Sequence, residues 1–396
     1  MRASLAHAPR HVTPPAAEVA SLLALSGARI VLGPKTDAVG LPEPIAPRAD
    51  TLFGPRGAYL ARPEGPLFVC DTGHHRILIW RRAPVDDHLP ADFVVGQPDF
   101  HSEGRNAKGG VGPTTLNVPT GVACEGDALA VADAWNHRVL IWHNGIRRSN
   151  QPPDVIVGQA EREAGLANRG ADRPRADTLN WCYGVALDRG RLFVADTGNR
   201  RVLIYDELPT RDGAAADVVI GQPDFTTRDE NCGQAPGAFG LRWPHGMAAV
   251  GEGLLIADAG DNRVMGFATL PRRNGAPCDF VLGQRDFASV DHNQAAYLPT
   301  ASAVNMPYGL AVLGQRLVVA DTANSRLVGF DLQHLTTGVD AQALAAQPTF
   351  TDKGDNRWSV AKRDSLCWPY GVAASGATLA IADSGNNRVL LWDAAP

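Results

Sequence analysis

The sequence predicts an all-β fold, a six-bladed β-propeller of four-stranded antiparallel blades. The first observation is a segment of 62 or 63 residues that recurs six times along the chain. The second is that each copy contains short apolar runs of the same kind. The third is an extra run of this kind ahead of the first copy, while the last copy lacks its fourth run. Self-similarity at a fixed period identifies an architecture in which each copy forms one structural unit.

The apolar runs predict strands. They span four to six residues, are rich in β-branched and aromatic side chains, and are bounded by Gly, Asn, Asp and Pro. The second and third runs are joined by segments such as Thr197-Gly198-Asn199, in which Gly and Asn tolerate positive φ, so the two runs form a hairpin. Four antiparallel strands per copy, repeated six times, describe the propeller.

Each copy carries an aspartate at the end of its second run and an arginine five residues later: Asp71 and Arg76, Asp133 and Arg138, Asp196 and Arg201, Asp258 and Arg263, Asp321 and Arg326, Asp383 and Arg388. We expect each aspartate to cap its own hairpin by accepting backbone N–H groups, with the arginine bridging nearby. Asparagines and glutamines in register between copies are expected to bond the backbone of the long loops; they are Asn106, Asn168, Asn231, Asn293, Asn356, Gln97, Gln159, Gln222, Gln284 and Gln347.

The ends of the sequence predict how the ring closes. The run Ala28-Arg29-Ile30-Val31-Leu32-Gly33-Pro34 has the form of a fourth strand, and Gly33 lies 63 residues before its equivalent, Gly96. This strand should complete the last blade and so remove an open sheet edge. Residues 28–396 then form a single propeller domain, and residues 1–27 an N-terminal extension in which Pro15 to Leu25 could form a short helix.

Composition narrows the class of protein. The chain has 37 Lys and Arg against 42 Asp and Glu, a net charge of −5, which argues against nucleic acid as a general partner. No apolar run approaches eighteen residues, and the N-terminus lacks a clear signal peptide, which predicts a soluble cytoplasmic protein with no membrane span. The six cysteines occupy non-equivalent positions, which favours reduced thiols. A monomer is expected, and a periplasmic or secreted location is the alternative.

Candidate site residues are found where the copies differ. The residue before the glycine that opens each first strand should face the mouth of the central channel; in order these are Arg56, Thr120, Tyr183, His245, Tyr308 and Tyr370. Two positions earlier, three copies carry an indole: Trp181, Trp243 and Trp368. Aromatic walls with a few polar groups are typical of a small-ligand pocket. The alternative is that these side chains plug the channel and pack on the long loops.

The motif Pro-x-Gly-Val-Ala, followed by Val-Ala-Asp-x-x-Asn-x-Arg-Val, resembles the NHL repeat over all six copies. The resemblance implies a six-bladed propeller. It leaves several functions open, because NHL rings serve as protein- and RNA-binding modules, as extracellular sensor domains, and as a zinc-dependent lyase. Trp243-Pro244-His245-Gly246-Met247-Ala248 is similar to the lyase sequence, which implies a zinc-ligand role for His245. The equivalent positions of the other copies contain no further histidine.

Together these observations favour a binding scaffold over an enzyme. The expected partner is a protein, a peptide segment or a small organic ligand at the channel mouth, with no cofactor. The alternative is a metal-assisted lyase or hydrolase, in which His245 holds zinc or calcium or acts as the base and Arg56 clamps a carboxylate. RNA binding is a second alternative, and it would require a basic mouth.

Overall fold

The structure, a computed structural model, describes residues 19–37 and 42–396, which form six sheets around a central channel. Strands β1 (Ala20–Ser21) and β2 (Ile30–Leu32) come first. Blades 1 to 3 follow with β3 (Gly57–Leu60), β4 (Leu67–Asp71), β5 (Arg76–Trp80), β6 (Phe93–Val95), β7 (Pro119–Glu125), β8 (Ala128–Asp133), β9 (Arg138–Trp142), β10 (Val155–Val157), β11 (Cys182–Asp188), β12 (Arg191–Asp196), β13 (Arg201–Tyr205) and β14 (Val218–Ile220). Blades 4 to 6 contain β15 (Pro244–Val250), β16 (Gly253–Asp258), β17 (Arg263–Phe267), β18 (Phe280–Leu282), β19 (Pro307–Leu313), β20 (Arg316–Asp321), β21 (Arg326–Asp331), β22 (Ala343–Ala345), β23 (Pro369–Ser375), β24 (Thr378–Asp383) and β25 (Arg388–Asp393).

The helices are single 3-10 turns. One joins the second and third strands of each blade: Thr72–His74, Ala134–Asn136, Thr197–Asn199, Ala259–Asp261, Thr322–Asn324 and Ser384–Asn386. Five others lie in the long loops between blades, Arg105–Lys108, Ala167–Gly170, Glu230–Gly233, His292–Ala295 and Asp355–Trp358, and one more is Leu332–His334. Within residues 19–37 and 42–396, none is long and apolar enough to cross a membrane.

Glycine is required where the first strands of neighbouring blades meet around the channel. A Cβ at Gly184 would collide with the backbone carbonyl of His245 in the next blade, and a Cβ at Gly371 with that of Arg56. The equivalent glycines of the other four blades face the next blade in the same way. The N–H of Gly371 also donates to the Arg56 carbonyl at 3.0 Å, which joins blade 6 to blade 1. The repeated glycine therefore permits the close packing of inner strands that closes the ring.

The core lies between blades. Each of its clusters combines apolar side chains from two neighbouring sheets, and the interior residues of the strands are almost completely shielded from water. Large side chains at the ends of the third strands complete the packing: Trp80, Trp142, Tyr205, Phe267, Phe330 and Trp392. Burial of one such side chain contributes about 1.5–3 kcal/mol, so the packing of neighbouring sheets stabilises the ring.

Strand β2 closes the last blade, as the sequence predicts. It pairs antiparallel with β25, with Ile30 opposite Leu391 and Leu32 opposite Val389. Blade 6 therefore has the order β2-β25-β24-β23, and its fourth strand comes from the opposite end of the chain. This pairing satisfies the backbone groups of β25 that would otherwise form an open edge.

The short helix considered for Pro15 to Leu25 is not present in the part of that segment that is described. Residues 15–18 lie outside the described residues, and Ala20–Ser21 form β1, which pairs parallel with β22 of blade 5. The N–H of Leu22 donates to the carbonyl of Leu344 at 2.9 Å. The unpaired edge of β22 offers hydrogen bonds that an isolated short helix would not receive, and this favours the extended conformation.

Candidate functional site

The repeated aspartate and arginine hold the fold together, although the aspartate does not cap its hairpin as expected. In blade 3, Asp196 Oδ1 accepts the N–H of Asn180, sixteen residues earlier, at 2.7 Å. Its Oδ2 accepts Nε–H of Arg201 at 2.7 Å. Each Asp therefore ties the chain that enters the first strand to the hairpin of the same blade. The expectation was wrong because it considered only local partners, whereas the hairpin N–H groups of Gly198 and Arg200 already donate to the carbonyls of Asn180 and Thr197.

The arginine completes this arrangement. The Nη1 group of Arg201 donates to the carbonyl of Phe225 at 2.7 Å, and Nη2 donates to the carbonyls of Arg175 and Thr178 at 2.9 Å. Arg201 is fully buried, so its five donors must find partners inside the protein. The carboxylate supplies the opposite charge and the loop carbonyls supply the remaining acceptors, which fixes the long loops on the blade.

The asparagines and glutamines in register are also structural. Gln159 donates to the carbonyls of His137 and Leu166 at 3.0 and 2.9 Å, as expected. The side chain of Asn168 does not bond loop backbone; it exchanges amide hydrogen bonds with Asn199 of the next hairpin, at 3.1 and 2.8 Å. Asn168 itself has φ of +50°, which suits asparagine. The expectation for the asparagine side chains was therefore wrong in the partner.

Five of the candidate site residues meet in the channel and form what we call the collar: Arg56, Tyr183, His245, Tyr308 and Tyr370. Ring centroids lie 4.1 Å apart for Tyr183 and His245, 4.3 Å for His245 and Tyr308, and 4.5 Å for Tyr308 and Tyr370. The Arg56 guanidinium lies 5.0 Å from the Tyr370 ring and 5.6 Å from the Tyr183 ring. The contacts thus form a closed circuit across the channel.

The sixth candidate, Thr120, stands beside the collar. Its hydroxyl donates to the carbonyl of Tyr183 at 2.7 Å, and the side chain is buried. This bond links blade 2 to blade 3. We conclude that Thr120 supports the collar through the backbone of Tyr183.

His245 is neutral in this environment. Its Nδ1 lies 2.8 Å from the carbonyl of Trp243, which accepts a hydrogen bond from the Nδ1–H group, so Nε2 is the unprotonated nitrogen. Burial lowers the pKa of His245 to about 3, despite the opposing effect of that hydrogen bond. Burial also raises the pKa of Tyr183 well above its usual range. Arg56 is therefore the one cation among uncharged rings in the collar.

A cavity of about 280 Å³ lies on one side of the collar. Its lining starts at the collar and follows the first strands away from the long loops, as far as Leu187, Asp188 and Val312. Trp181, Trp243 and Trp368 do not line it. The structure thus separates the candidate residues into two groups, with the collar bordering the cavity and the indoles on the side of the long loops.

The three indoles lie one residue before the first strands of blades 3, 4 and 6, and two of them share a backbone conformation. Trp181 and Trp368 both have φ of +51°, as do Gly54 and Met306, while Val118 has +56°. Their N–H groups donate to a side chain in the hairpin of the preceding blade. The bonds are Val118 to His75 Nδ1 at 3.0 Å, Trp181 to His137 Nδ1 at 2.7 Å, Met306 to Asn262 Oδ1 at 2.9 Å, Trp368 to Ser325 Oγ at 3.2 Å and Gly54 to Asn387 Oδ1 at 2.8 Å.

The seam between blades 3 and 4 lacks this bond. The hairpin position that accepts it elsewhere is Arg200, and a guanidinium has no acceptor. The N–H of Trp243 turns instead to Asp258 of its own blade, at 2.9 Å, and the indole is 36% exposed. The Arg242 guanidinium covers one face of the indole at 5.3 Å. Sequence reasoning missed this exception because the two partners are far apart in the chain.

Blade 4 also carries a second buried carboxylate. Asp261 occupies the hairpin position that is asparagine in four blades, and it accepts from Asn231 Nδ2 at 2.9 Å. The Arg263 guanidinium lies 3.2 Å from Asp258 and 3.3 Å from Asp261, so one cation serves two anions. Burial, opposed by Arg263 and reinforced by Asp261, raises the pKa of Asp258 above its usual range.

The face formed by the long loops and the hairpins, here called the long-loop face, displays most of the exposed large apolar side chains. Twelve such side chains are exposed in the described residues, and three of them, Leu25, Val85 and Val312, lie elsewhere. The nine on this face are Phe53, Trp135, Leu166, Phe239, Trp243, Tyr297, Leu298, Trp358 and Val360. Apart from Trp243, none was a candidate, because exposure of loop residues has no periodic signal in the sequence.

The donors around His245 do not fit the zinc site that the lyase resemblance implies. A catalytic zinc takes three protein ligands and an open position. The rings that contact His245 belong to Trp181, Tyr183 and Tyr308. Within residues 19–37 and 42–396 there is no group of three or more His, Cys, Asp or Glu side chains placed to bind a metal.

Fold and site together define a class: a six-bladed β-propeller in which a repeated Asp-Arg pair fixes the loops and a unique collar closes the channel. No family profile matches the sequence. NHL repeat-containing protein 2 of Homo sapiens is 24% identical over 353 residues, which cover 83% of this chain and 44% of that protein. The Gallus gallus protein of the same description is 22% identical over 350 residues, with the same coverage of each chain. The chain thus spans under half the length of these curated relatives, which confirm the NHL-repeat resemblance.

One solved structure supports the fold. A protein of unknown function from Bacteroides thetaiotaomicron VPI-5482 aligns with a TM-score of 0.53 and 12% identity, covering 92% of this chain and 76% of that chain. The WD40 β-propeller domain of Doa1 aligns with a TM-score of 0.47 and 8% identity, covering 93% of this chain and 96% of that chain. At 12% identity the likeness to the Bacteroides protein extends to the fold alone.

Proposed function

We propose that this chain is a binding scaffold that docks a polypeptide on its long-loop face. The observation that carries the proposal is the concentration of exposed apolar side chains there, nine of the twelve in the described residues. Exposed apolar patches on one face are typical of interaction sites, and loops on a rigid scaffold often carry function. Several of the nine are aromatic, the residue type that contributes most to interface energies.

The distribution of these side chains favours a polypeptide over a small molecule. Phe53 precedes blade 1, Trp135 belongs to the hairpin of blade 2, and Trp358 lies in the loop before blade 6. Side chains on separate blades cannot all contact one small ligand, whereas an extended segment or a protein surface could contact several. The seam between blades 3 and 4 offers the strongest anchor. The N–H of Trp243 bonds Asp258 of its own blade instead of the preceding blade, and the Arg242 guanidinium lies over its indole.

The described residues favour neither alternative function. A metal-assisted reaction would need a donor set that His245 and its neighbours do not provide. An RNA-binding mouth would need several cations, and the collar contains Arg56 alone.

Peptide selection tests the docking proposal. A displayed library of random peptides is selected on the wild-type protein, and the affinity of the resulting peptides is measured by calorimetry. Trp243→Ala and Trp358→Ala should each weaken binding about tenfold or more, because each removes an aromatic contact of about 1.4 kcal/mol or more. Val85→Ala, an exposed apolar change off this face, is the matched control and should leave affinity unchanged. Equal affinities for all four proteins would refute the proposal.

A further inference from the structure

We propose that the central cavity binds a small organic monocarboxylate, with its carboxylate on Arg56 and its apolar body along the inner strands. This site lies on the opposite side of the collar from the long loops. It is therefore separate from polypeptide docking on the long-loop face, and either proposal can fail without the other.

Arg56 is a cation without a counter-ion among the described residues. Its Nη1 donates to the hydroxyl of Tyr183 at 2.7 Å, and this is the one hydrogen bond made by its guanidinium with the described residues. No carboxylate of those residues lies within ion-pair distance of it. The guanidinium is half-buried, and burial raises the pKa of Tyr183, so the phenol stays neutral and cannot balance the charge. A partly desolvated cation with unused donors favours an anion.

The repeated arginines differ from Arg56, because each of them has a carboxylate partner. All six lie within ion-pair distance of a buried aspartate, from 2.6 Å for Arg326 to 3.2 Å for Arg263. Where the fold itself needs a buried guanidinium, the sequence provides a carboxylate. Arg56 stands at a position occupied in the other blades by Thr, Tyr or His, so the fold does not need a cation there. Its missing counter-ion is best explained as part of a ligand.

The size and lining of the cavity suit a small ligand with one acidic end. The cavity volume of about 280 Å³ lies just below the usual range of ligand pockets, about 300–1,000 Å³, which points to a small ligand. Beyond the collar the side chains that line the cavity are mainly apolar. Ala58, Ala123, Ala248, Ala311 and Ala373 are small, and Tyr59, Met247 and Leu310 are larger. The one carboxylate among its lining residues, Asp188, lies at the far end of β11. The lining thus changes from the Arg56 cation at the collar to mainly apolar side chains further along. This arrangement matches a ligand with a carboxylate at one end and a short apolar body.

Calorimetry with three probes tests the proposal. Hexanoate is the monocarboxylate, hexanamide is its neutral counterpart, and inorganic phosphate is a different anion. Hexanoate should bind, hexanamide should bind about tenfold more weakly or worse, and Arg56→Gln should weaken hexanoate by a similar factor. Arg56→Gln retains a side chain that can donate to Tyr183, so folding should persist. Arg189→Gln, at the exposed turn after β11, and Trp243→Ala should leave hexanoate binding unchanged.

Chemical labelling of the wild-type protein gives a second readout that needs no variant at Arg56. Phenylglyoxal modifies accessible guanidinium groups, and mass spectrometry locates the modified residues. Saturating hexanoate should slow modification of Arg56 several-fold while Arg189 reacts at an unchanged rate. Absence of hexanoate binding, equal binding by Arg56→Gln, or equal binding of hexanamide would overturn the proposal. Tighter binding of phosphate than of hexanoate would overturn the assignment to a monocarboxylate.

Discussion

Blades 3 and 4 are built from the same repeat and differ where they meet. In blade 3, one buried aspartate faces one arginine, Asn199 completes the pair, and the N–H of Trp181 reaches back to the preceding blade. In blade 4, Asp261 adds a second carboxylate, and the bond to the preceding blade is absent. The features that all blades share are those that hold the ring together. The departures gather beside the exposed indole of Trp243, on the face where we propose that a polypeptide docks.

The largest expected effect concerns the arginine that the blades share. Arg201→Ala should destabilise the protein by about 3–5 kcal/mol, because it leaves Asp196 buried without its cation and three loop carbonyls without donors. Arg56→Gln, at an arginine that no blade repeats, should change stability by about 1 kcal/mol or less. Chemical denaturation of both variants checks the difference. Similar losses for the two would mean that Arg56 is also part of the scaffold.

The second effect concerns the extra carboxylate of blade 4. Asp261→Asn should stabilise the protein at pH 7 by about 1 kcal/mol, because it removes repulsion from Asp258 and installs the residue that four blades use. The raised pKa of Asp258 means that its contribution is favourable at low pH and is lost as pH rises, so the gain should shrink toward pH 4. Asn199→Asp in blade 3 is the reverse substitution and should destabilise. Thermal melts at pH 7 and pH 4 measure both.

A smaller effect is expected at the seam itself. Arg200→Asn supplies an acceptor of the kind that Asn262 and Asn387 offer at other seams. The N–H of Trp243 should then bond across the seam, with a gain in stability of about 0.5–1 kcal/mol. The indole should become less exposed, which a blue shift of tryptophan fluorescence would report. An unchanged spectrum and melting temperature would show that Arg200 is not the cause of the exception.

The last effect is a change of stability with pH at the seam between blades 2 and 3. His137 accepts the N–H of Trp181, and burial lowers its pKa to about 4. A depressed pKa in the folded state means that the unfolded chain takes up protons first, so this stabilisation is full above pH 6.5 and declines as pH falls to 4. Replacing the imidazole in His137→Asn should flatten that part of the stability curve. A slope that persists unchanged in the variant would assign it to other groups.

The fold could be predicted from the sequence because the repeat supplies six aligned copies of each signal. Strand order, ring closure by Ile30 to Leu32 and the position of the collar all follow from that register. The partner of Asp196 could not be predicted, because it lies sixteen residues away and across a loop. The same reason hid the meaning of Arg200, whose significance depends on the N–H of Trp243 in another blade.

The sequence indicates which side chains face the channel, but it does not indicate how those side chains are arranged there. A position in register indicates which side chains face the channel, and five of them do meet there. Register does not indicate whether those side chains leave a mouth open or contact one another. That outcome depends on side-chain length and on the close approach of the inner strands. Most of the exposed loop residues lie outside the repeat motif, and Trp135 occupies a variable position within it, so no pattern marks these residues as exposed.

The most direct test of this account is hydrogen exchange on the wild-type protein, alone and saturated with a peptide selected from a random library. With peptide bound, we expect slower exchange in the loops around Phe239, Trp243 and Trp358, which belong to the long-loop face. The connections between third and fourth strands, including Val85, should exchange at the same rate with and without peptide. Protection confined to those connections, with the long loops unaffected, would contradict the claim that this face is the binding surface.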